Sequence, residues 1–231
     1  EQAGVVDATA DVDYQQLWQW SVDNRAQFWE QIWQQFDIIG DAGDIILGED
    51  KMPGAEWFPH AKLNFAENLL RRRDDGEAIV FVAEDGSRRA LTFRQLAERV
   101  RCMRHSLRLA GVGHGDRVAA YLPNVPEAII GMLATSSIGA VWSSCSPDFG
   151  VAGVLDRFGQ IEPKGLLGCV AYTYKSKVID VSEKLQQVVA GIPSLQQVVV
   201  VPYGNQAAAR DFVEAGAAIP HTLFNDFLTA G

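Results

Sequence analysis

Three short segments read as ligand-facing loops at strand ends. Pro123-Asn124-Val125-Pro126 follows the apolar run Arg117–Leu122, Ser146-Pro147-Asp148-Phe149 follows Ala140–Cys145, and Tyr172-Thr173-Tyr174-Lys175-Ser176-Lys177 follows Gly165–Ala171. Each comes after a run that reads as a buried strand and before one that reads as a helix, which is where open α/β sheets bind ligands. In the last segment Lys175 and Lys177 precede the helix expected over Val178–Ala190, with Tyr172 and Tyr174 beside them. Cations and aromatic rings at a helix N-terminus suit an anionic phosphate group. An ordinary loop with surface lysines is the alternative reading of the same residues.

Other chemistries fail on spacing. Gly111-Val112-Gly113-His114-Gly115 looks like a glycine-rich loop but follows a helix pattern and precedes a strand pattern, the reverse of a dinucleotide loop. There is no GxxxxGK[ST] phosphate cradle and no GxSxG nucleophile elbow. His60, His105, His114 and His221 share no metal-ligand spacing with one another or with cysteine, so no metal site is expected. Arg71–Arg73 reads as the solvated end of a helix, favourably placed for its dipole, and Asp74-Asp75 and Glu84-Asp85 as turn residues.

The elements that must position the three segments are legible from periodicity. Asp13–Ser21 and Arg25–Phe36 read as helices, the second with Phe28, Trp29, Ile32, Trp33 and Phe36 on one face and Asn24 with Gln27 as its capping pair. That face reads as docked core, with an exposed partner surface as the alternative. Residues 1–12 read as a loosely held arm and residues 37–59 as irregular wrapping. Asn64–Arg73 is a short helix; Glu77–Glu84 and Arg88–Leu91 form a hairpin about Asp85-Gly86. Thr92 caps a long helix over Phe93–Ala110, with Gln95 in the box position and Gly111 as its stop. Strands over Arg117–Leu122, Ala140–Cys145, Gly165–Ala171 and Gln197–Pro202 then alternate with helices over Pro126–Gly139, Val151–Ile161 and Val178–Ala190. A loop and a last short helix are expected over Phe212–Phe227. Continuously apolar strands are buried on both faces and hence parallel. The expected fold is therefore α/β: a doubly wound, mostly parallel sheet with helices on both faces, preceded by an N-terminal helical segment. The expected division is an N-terminal helical and wrapping segment, 1–76, and an α/β part, 77–231.

Composition bounds the partners. The 231 residues are 48% hydrophobic with a formal net charge of -9, enough apolar residue for a real core and the wrong sign for a nucleic-acid or anionic-membrane surface. The three cysteines, Cys102, Cys145 and Cys169, fall singly in apolar patterns and read as reduced buried thiols. No apolar run reaches membrane-spanning length, and the start lacks a signal-peptide pattern. A cytoplasmic protein is the expectation.

Longer stretches carry a resemblance. WFPHAKLNFAENLL (Trp57–Leu70), LTFRQL (Leu91–Leu96), GDRVAAYLPNVPEAIIGMLATSSIGAVWSSCSPDFG (Gly115–Gly150) and VLDRFGQIEPK (Val154–Lys164) resemble the acyl-CoA synthetases of the adenylate-forming superfamily, and within it the branch acting on acetoacetate. The likeness runs through most of Trp57–Val201, and the two N-terminal helices fit the synthetase subgroup.

The resemblance implies an AMP-forming ligase of lipid metabolism in which acetoacetate attacks the α-phosphate of ATP and CoA then displaces AMP, with Mg²⁺ and basic groups stabilising the phosphates. It also implies that the TSGTTGxPK-type phosphate loop, the acyl pocket and the C-terminal lid with its catalytic lysine lie outside this chain, which is expected to be an inactive N-terminal portion with no catalytic residue of its own. Part of the CoA site is expected inside it. Two closely spaced arginines of acetyl-CoA synthetase-like relatives correspond to Tyr174 and Lys177, of which Lys177 keeps the charge. Ser146 and Pro147 lie where relatives bring backbone toward the CoA nucleotide. Self-association through surfaces made to meet the rest of such an enzyme is a further expectation. A stand-alone α/β module binding CoA or a partner protein without catalysis is the alternative.

Overall fold

The computed structural model describes residues 13–216 and 218–229, and its contacts divide the chain into two units between Asn64 and Phe65. The expected arm, 1–12, lies outside the described residues. The first unit opens with α1 (Tyr14–Asp23) and α2 (Arg25–Gln35). Asp13 starts α1 by accepting from the Gln15 N–H at 3.0 Å. The expected Asn24–Gln27 cap does not form: Asn24 donates its amide back to the Trp20 carbonyl, 3.1 Å, closing α1 instead of opening α2. The aromatic face of α2 is a half-open ring cluster. Phe28, Ile32 and Trp33 are half-buried while Trp29 and Phe36 are exposed. Ring centroids lie 5.1 Å apart for Trp33–Phe58 and 5.9 Å for Trp29–Trp57. The glycine-punctuated stretch that follows is tied by a short ladder between β1 (Gly40–Asp41) and β2 (Lys62–Leu63) and by a bridge between Leu47 and Trp57.

The second unit begins with α3 (Phe65–Leu69). Where the sequence placed this helix with the N-terminal segment, Ala66 and Leu70 are buried in one core with Leu96 and Val100, so it packs with the second unit. A hairpin of β3 (Glu77–Val82) and β4 (Arg88–Thr92) leads into α4 (Phe93–Leu109). The capping box is as expected: Thr92 Oγ1 accepts from the Gln95 N–H at 3.1 Å and Gln95 Oε1 from the Thr92 N–H at 3.0 Å. Then come β5 (Arg117–Tyr121), α5 (Pro126–Ser137), β6 (Val141–Cys145), α6 (Val151–Ile161), β7 (Gly165–Cys169), β8 (Ala171–Tyr174), β9 (Lys177–Asp180), α7 (Ser182–Ala190), β10 (Gln197–Val201), α8 (Gln206–Glu214), β11 (His221–Leu223) and α9 (Phe224–Thr229). The expected helix over Val178–Ala190 is thus shortened by a strand, and a fifth sheet strand, β11, stands where a loop was expected.

The sheet is five-stranded in the order β11-β10-β7-β5-β6, with every pair parallel. Side-chain alternation sends Val118, Ala120, Leu167 and Val199 into one core with α4, α5 and α9, and Ala119, Tyr121, Leu166 and Val198 into another with α6, α7 and α8. Both faces are covered over β5, β7 and β10, which is why those strands read as continuous apolar runs; β6, expected to be buried, is an edge strand that leaves Val141 exposed. Arg117 fastens α6 to the sheet by donating to the carbonyls of Ile161 and Glu162 at that helix's C-terminus, where the last turn lacks partners of its own. Cys145 and Cys169 are buried and Cys102 half-buried, all as free thiols. No described helix is long and apolar enough to cross a membrane.

Two positions on α5 report how closely it lies on the sheet. A Cβ on Gly131 would stand 2.7 Å from Leu167 Cδ2 and 2.8 Å from Trp142 Cη2. Gly131→Ala should therefore destabilise by about 1–3 kcal/mol, overriding the helix-propensity gain of about 1 kcal/mol. Thr135 is fully buried and its hydroxyl has no hydrogen-bond partner. Thr135→Val should stabilise by about 1 kcal/mol by removing an unsatisfied polar group. Urea denaturation midpoints moving in opposite directions would check both.

Candidate functional site

The strand order creates the site. From β5 the chain steps to β6 on one side, then crosses back over β5 to β7 on the other, so the switch point lies at β5. The loops leaving the carboxyl ends of β5, β6 and β7 converge on a cleft of about 280 Å³ walled by Pro123 and Asn124, by Ser146, Pro147 and Asp148, and by Tyr172 and Tyr174. All three segments singled out from the sequence contribute to it.

Of the expected CoA contacts, Ser146, Pro147 and Tyr174 come together in this wall. Lys177 stands outside it, paired in register with Tyr174 across the β8–β9 hairpin. Here the sequence reading needs correction, because the two lysines do not precede a helix. Lys175 and Ser176 form the turn itself, with φ of 49° and 59°, a conformation typical of tight hairpins. Lys177 opens β9, and α7 starts only at Ser182. No helix dipole supports these lysines; their charge sits on a hairpin tip, where the Lys175 ammonium lies 5.2 Å over the Tyr174 ring. Glu84 steadies the tip by accepting from the Ser176 N–H at 2.8 Å. The hairpin escaped notice because its turn lacks the glycine or asparagine that usually marks one.

The Ser146–Phe149 loop has no regular structure and is held by two tyrosines. Tyr121, at the end of β5, is fully buried, and its hydroxyl lies 2.9 Å from the Pro147 carbonyl and 2.7 Å from that of Phe149. Burial pushes the Tyr121 phenol up to about 12, which keeps its proton in place as a donor. From the side, Tyr172 donates to Asp148 Oδ1 at 2.6 Å, while Ser146 donates to Oδ2 at 2.8 Å. These hydrogen bonds, that of Tyr172 foremost, hold the Asp148 carboxyl below its usual range. The same bond, ahead of burial, pushes the Tyr172 phenol up to about 12. Arg157 stacks its guanidinium over the Phe149 ring, 4.5 Å from the centroid. Asp148 and Tyr121 were not singled out as functional: a carboxylate after Ser-Pro reads as a turn residue, and a tyrosine in an apolar strand as core.

A larger cavity of about 480 Å³ lies away from this cleft, among α7, α8 and the start of β11, with Val189, Phe212, Ile219 and His221 in its wall. It presents no carboxylate, lysine or arginine, so it does not suit a polyanion. The Gly111–Gly115 segment is a helix exit, as expected. Gly111 has φ +81°, and Asp116 ties the turn by accepting from the Gly113 N–H and from the Lys164 ammonium, both at 2.8 Å. Lys164, ahead of that N–H, holds the Asp116 carboxyl below its usual range.

Comparison with known proteins places this geometry. Residues 65–221 match the family described as AMP-binding enzyme, and residues 14–69 that described as acetyl-coenzyme A synthetase N-terminus. The chain is 46% identical over 209 residues to the acetoacetyl-coenzyme A synthetase of Rhizobium meliloti (strain 1021), which accounts for 90% of this chain and 32% of that protein. It is 41% identical over 227 residues to the acetoacetyl-CoA synthetase of Macaca fascicularis, 95% of this chain and 33% of that one. The solved structure of the acetoacetyl-CoA synthetase from Streptomyces lividans superposes with a TM-score of 0.84 at 36% identity, covering 97% of this chain and 34% of that one. The chain thus spans about a third of the length of the curated relatives it matches.

The two tyrosines make a prediction for alkaline stability. A phenol whose folded value is raised from 10.0 to about 12 contributes stability that is complete below pH 10 and is lost as pH rises toward 12. Tyr121→Phe and Tyr172→Phe should each flatten the fall of the denaturation midpoint over that range, and spectrophotometric titration of tyrosinate should show one late-ionising phenol fewer in each variant.

Proposed function

Since the chain belongs to the AMP-binding enzyme family, we propose that it is the N-terminal third of an acetoacetate–CoA ligase and supplies one wall of that enzyme's CoA site. The observation that carries the reading is the cleft at the sheet's switch point, which gathers Ser146, Pro147 and Tyr174 within a fold shared across nearly the whole chain with acetoacetyl-CoA synthetases. In the proposed reaction an oxygen of the acetoacetate carboxylate attacks the α-phosphorus of ATP and pyrophosphate leaves. The CoA thiolate then attacks the acyl carbon and the bond to AMP breaks.

This chain's part in that sequence is binding. A CoA nucleotide brings phosphates and a base to the cleft. The lysines of the β8–β9 tip meet the phosphates as mobile point charges, and the Tyr174 ring offers a face for the base. The residues do not fit a Mg²⁺ site, since among the described residues no three His, Cys, Asp or Glu side chains come together as ligands; no step is assigned to that ion here. The sequence contains no TSGTTGxPK-type segment, which supports assigning adenylation to the part of the relatives that this chain does not match.

Two measurements test the reading. The complete reading frame should form acetoacetyl-CoA, AMP and pyrophosphate, whereas the 231-residue chain should show no acetoacetate-dependent ATP–pyrophosphate exchange; exchange by the short chain would overturn the assignment. Lys177→Ala in the complete enzyme should raise KM for CoA by about fivefold, the worth of one exposed charge contact, and leave the adenylation half-reaction unchanged. An unaltered KM for CoA would remove Lys177 from the site.

A further inference from the structure

Beside the cleft, outside its wall, the β8–β9 tip carries Lys175 and Lys177; in the wall itself stands Asp148, whose two carboxylate oxygens are each already bonded to a hydroxyl. An ionised carboxylate with both oxygens so engaged keeps a further lone pair on each and has nothing to donate. It would repel a phosphate and accept from an amino or hydroxyl group. A nucleotide in the cleft would therefore turn donor groups, and not phosphates, toward Asp148.

That preference depends on where the carboxylate points. Ser146 is two residues away on the same irregular loop and moves with Asp148. Tyr172 belongs to β8, its ring is buried, and β8 is paired with β9 along its length, so its hydroxyl is a fixed point. We propose that Tyr172 is a positioning residue of the cleft: by donating to Oδ1 it holds the Asp148 carboxylate against the wall as an oriented acceptor for the amino or ribose hydroxyl groups of the bound CoA nucleotide. The proposal rests on the CoA reading given above. The other groups that bear on this carboxylate are Ser146 of its own loop and Lys184 of α7, whose charge favours the ionised form. Tyr121 of β5 holds the loop backbone beneath it. None of these replaces the lateral contact from β8.

CoA binding by the complete enzyme, measured calorimetrically, tests this. Tyr172→Phe should weaken binding by about tenfold at pH 7, the scale of one hydrogen bond to a charged group. Asp148→Asn should weaken it by a similar factor, and Y172F added to D148N should cost little more, because the tyrosine acts through the carboxylate. The deficit of Y172F should also widen between about pH 5 and pH 4, since Asp148 without its partner titrates nearer the ordinary value of 3.8. Titration of the CoA phosphate near pH ~6 is common to every variant and cancels in the comparison. Equal losses from Y172F with and without D148N, or an unchanged affinity in Y172F, would overturn the proposal. If Y172F does not fold, D148N decides alone: a tenfold loss upholds the acceptor role and an unchanged affinity overturns it. Absence of CoA binding by the unsubstituted complete enzyme would instead remove the CoA reading itself, a result that needs no variant.

Discussion

Strand β5 is paired along both edges, with β6 on one side and β7 on the other, and Val118, Ala119, Ala120 and Tyr121 have no exposed surface at all. A strand so enclosed can only be apolar, apart from a polar atom at its very end that finds a partner. Both ends of β5 show it: Arg117 opens the strand and donates to the carbonyls of Ile161 and Glu162, and Tyr121 closes it, its hydroxyl meeting the two carbonyls that shape the Ser146–Phe149 loop. Because β5 lies between its two successors, the chain must cross over it, and the crossing leaves the crevice in which the loops meet. The same constraint brings α5 close to the sheet, where Gly131 leaves room for Leu167 and Trp142.

The proposed function sets an anionic ligand against a negative protein. A net charge of -9 gives no general attraction for phosphates, so any such binding must come from local cations. The β8–β9 tip carries two of them beside the cleft, on a short hairpin and not on a helix N-terminus, with Glu84 bonding the turn backbone and the Tyr174 ring beneath the Lys175 ammonium. Opposed to it, Asp148 stays ionised because two hydroxyls donate to it. Such a cleft discriminates by the order of charges along a ligand as well as by total charge.

The division between what could and could not be read follows the range of the forces involved. Local patterns were legible: the Thr92–Gln95 box, the Gly111 stop, the Asp85-Gly86 hairpin and the buried strands β5, β7 and β10 each declare themselves within a few residues, whereas β6, read as buried, is an open edge strand. So was the likeness of Gly115–Gly150 to the acyl-CoA synthetases. The errors fell where a contact that no sequence motif announces decided the outcome. Asn24 bonds backward to Trp20, and α3 joins the second unit because Ala66 and Leu70 find their core with Leu96 and Val100. Lys177–Asp180 becomes a strand because Ala171–Tyr174 is there to pair with it.

The sequence by itself determined the fold class, the family and the three loops that carry the cleft, since these depend on periodicity, turn chemistry and motif. The tertiary structure alone decided that the lysines ride on a hairpin, that Tyr121 and Tyr172 are hydrogen-bond donors to the loop and not merely core, and that Asp148 faces the ligand space. The hairpin is a local pairing that its turn residues do not announce; the tyrosine and Asp148 contacts are hydrogen bonds between residues 24 to 28 positions apart, Tyr172 with Asp148, Tyr121 with Pro147 and Tyr121 with Phe149. Only closing the parallel sheet brings such residues within reach of one another.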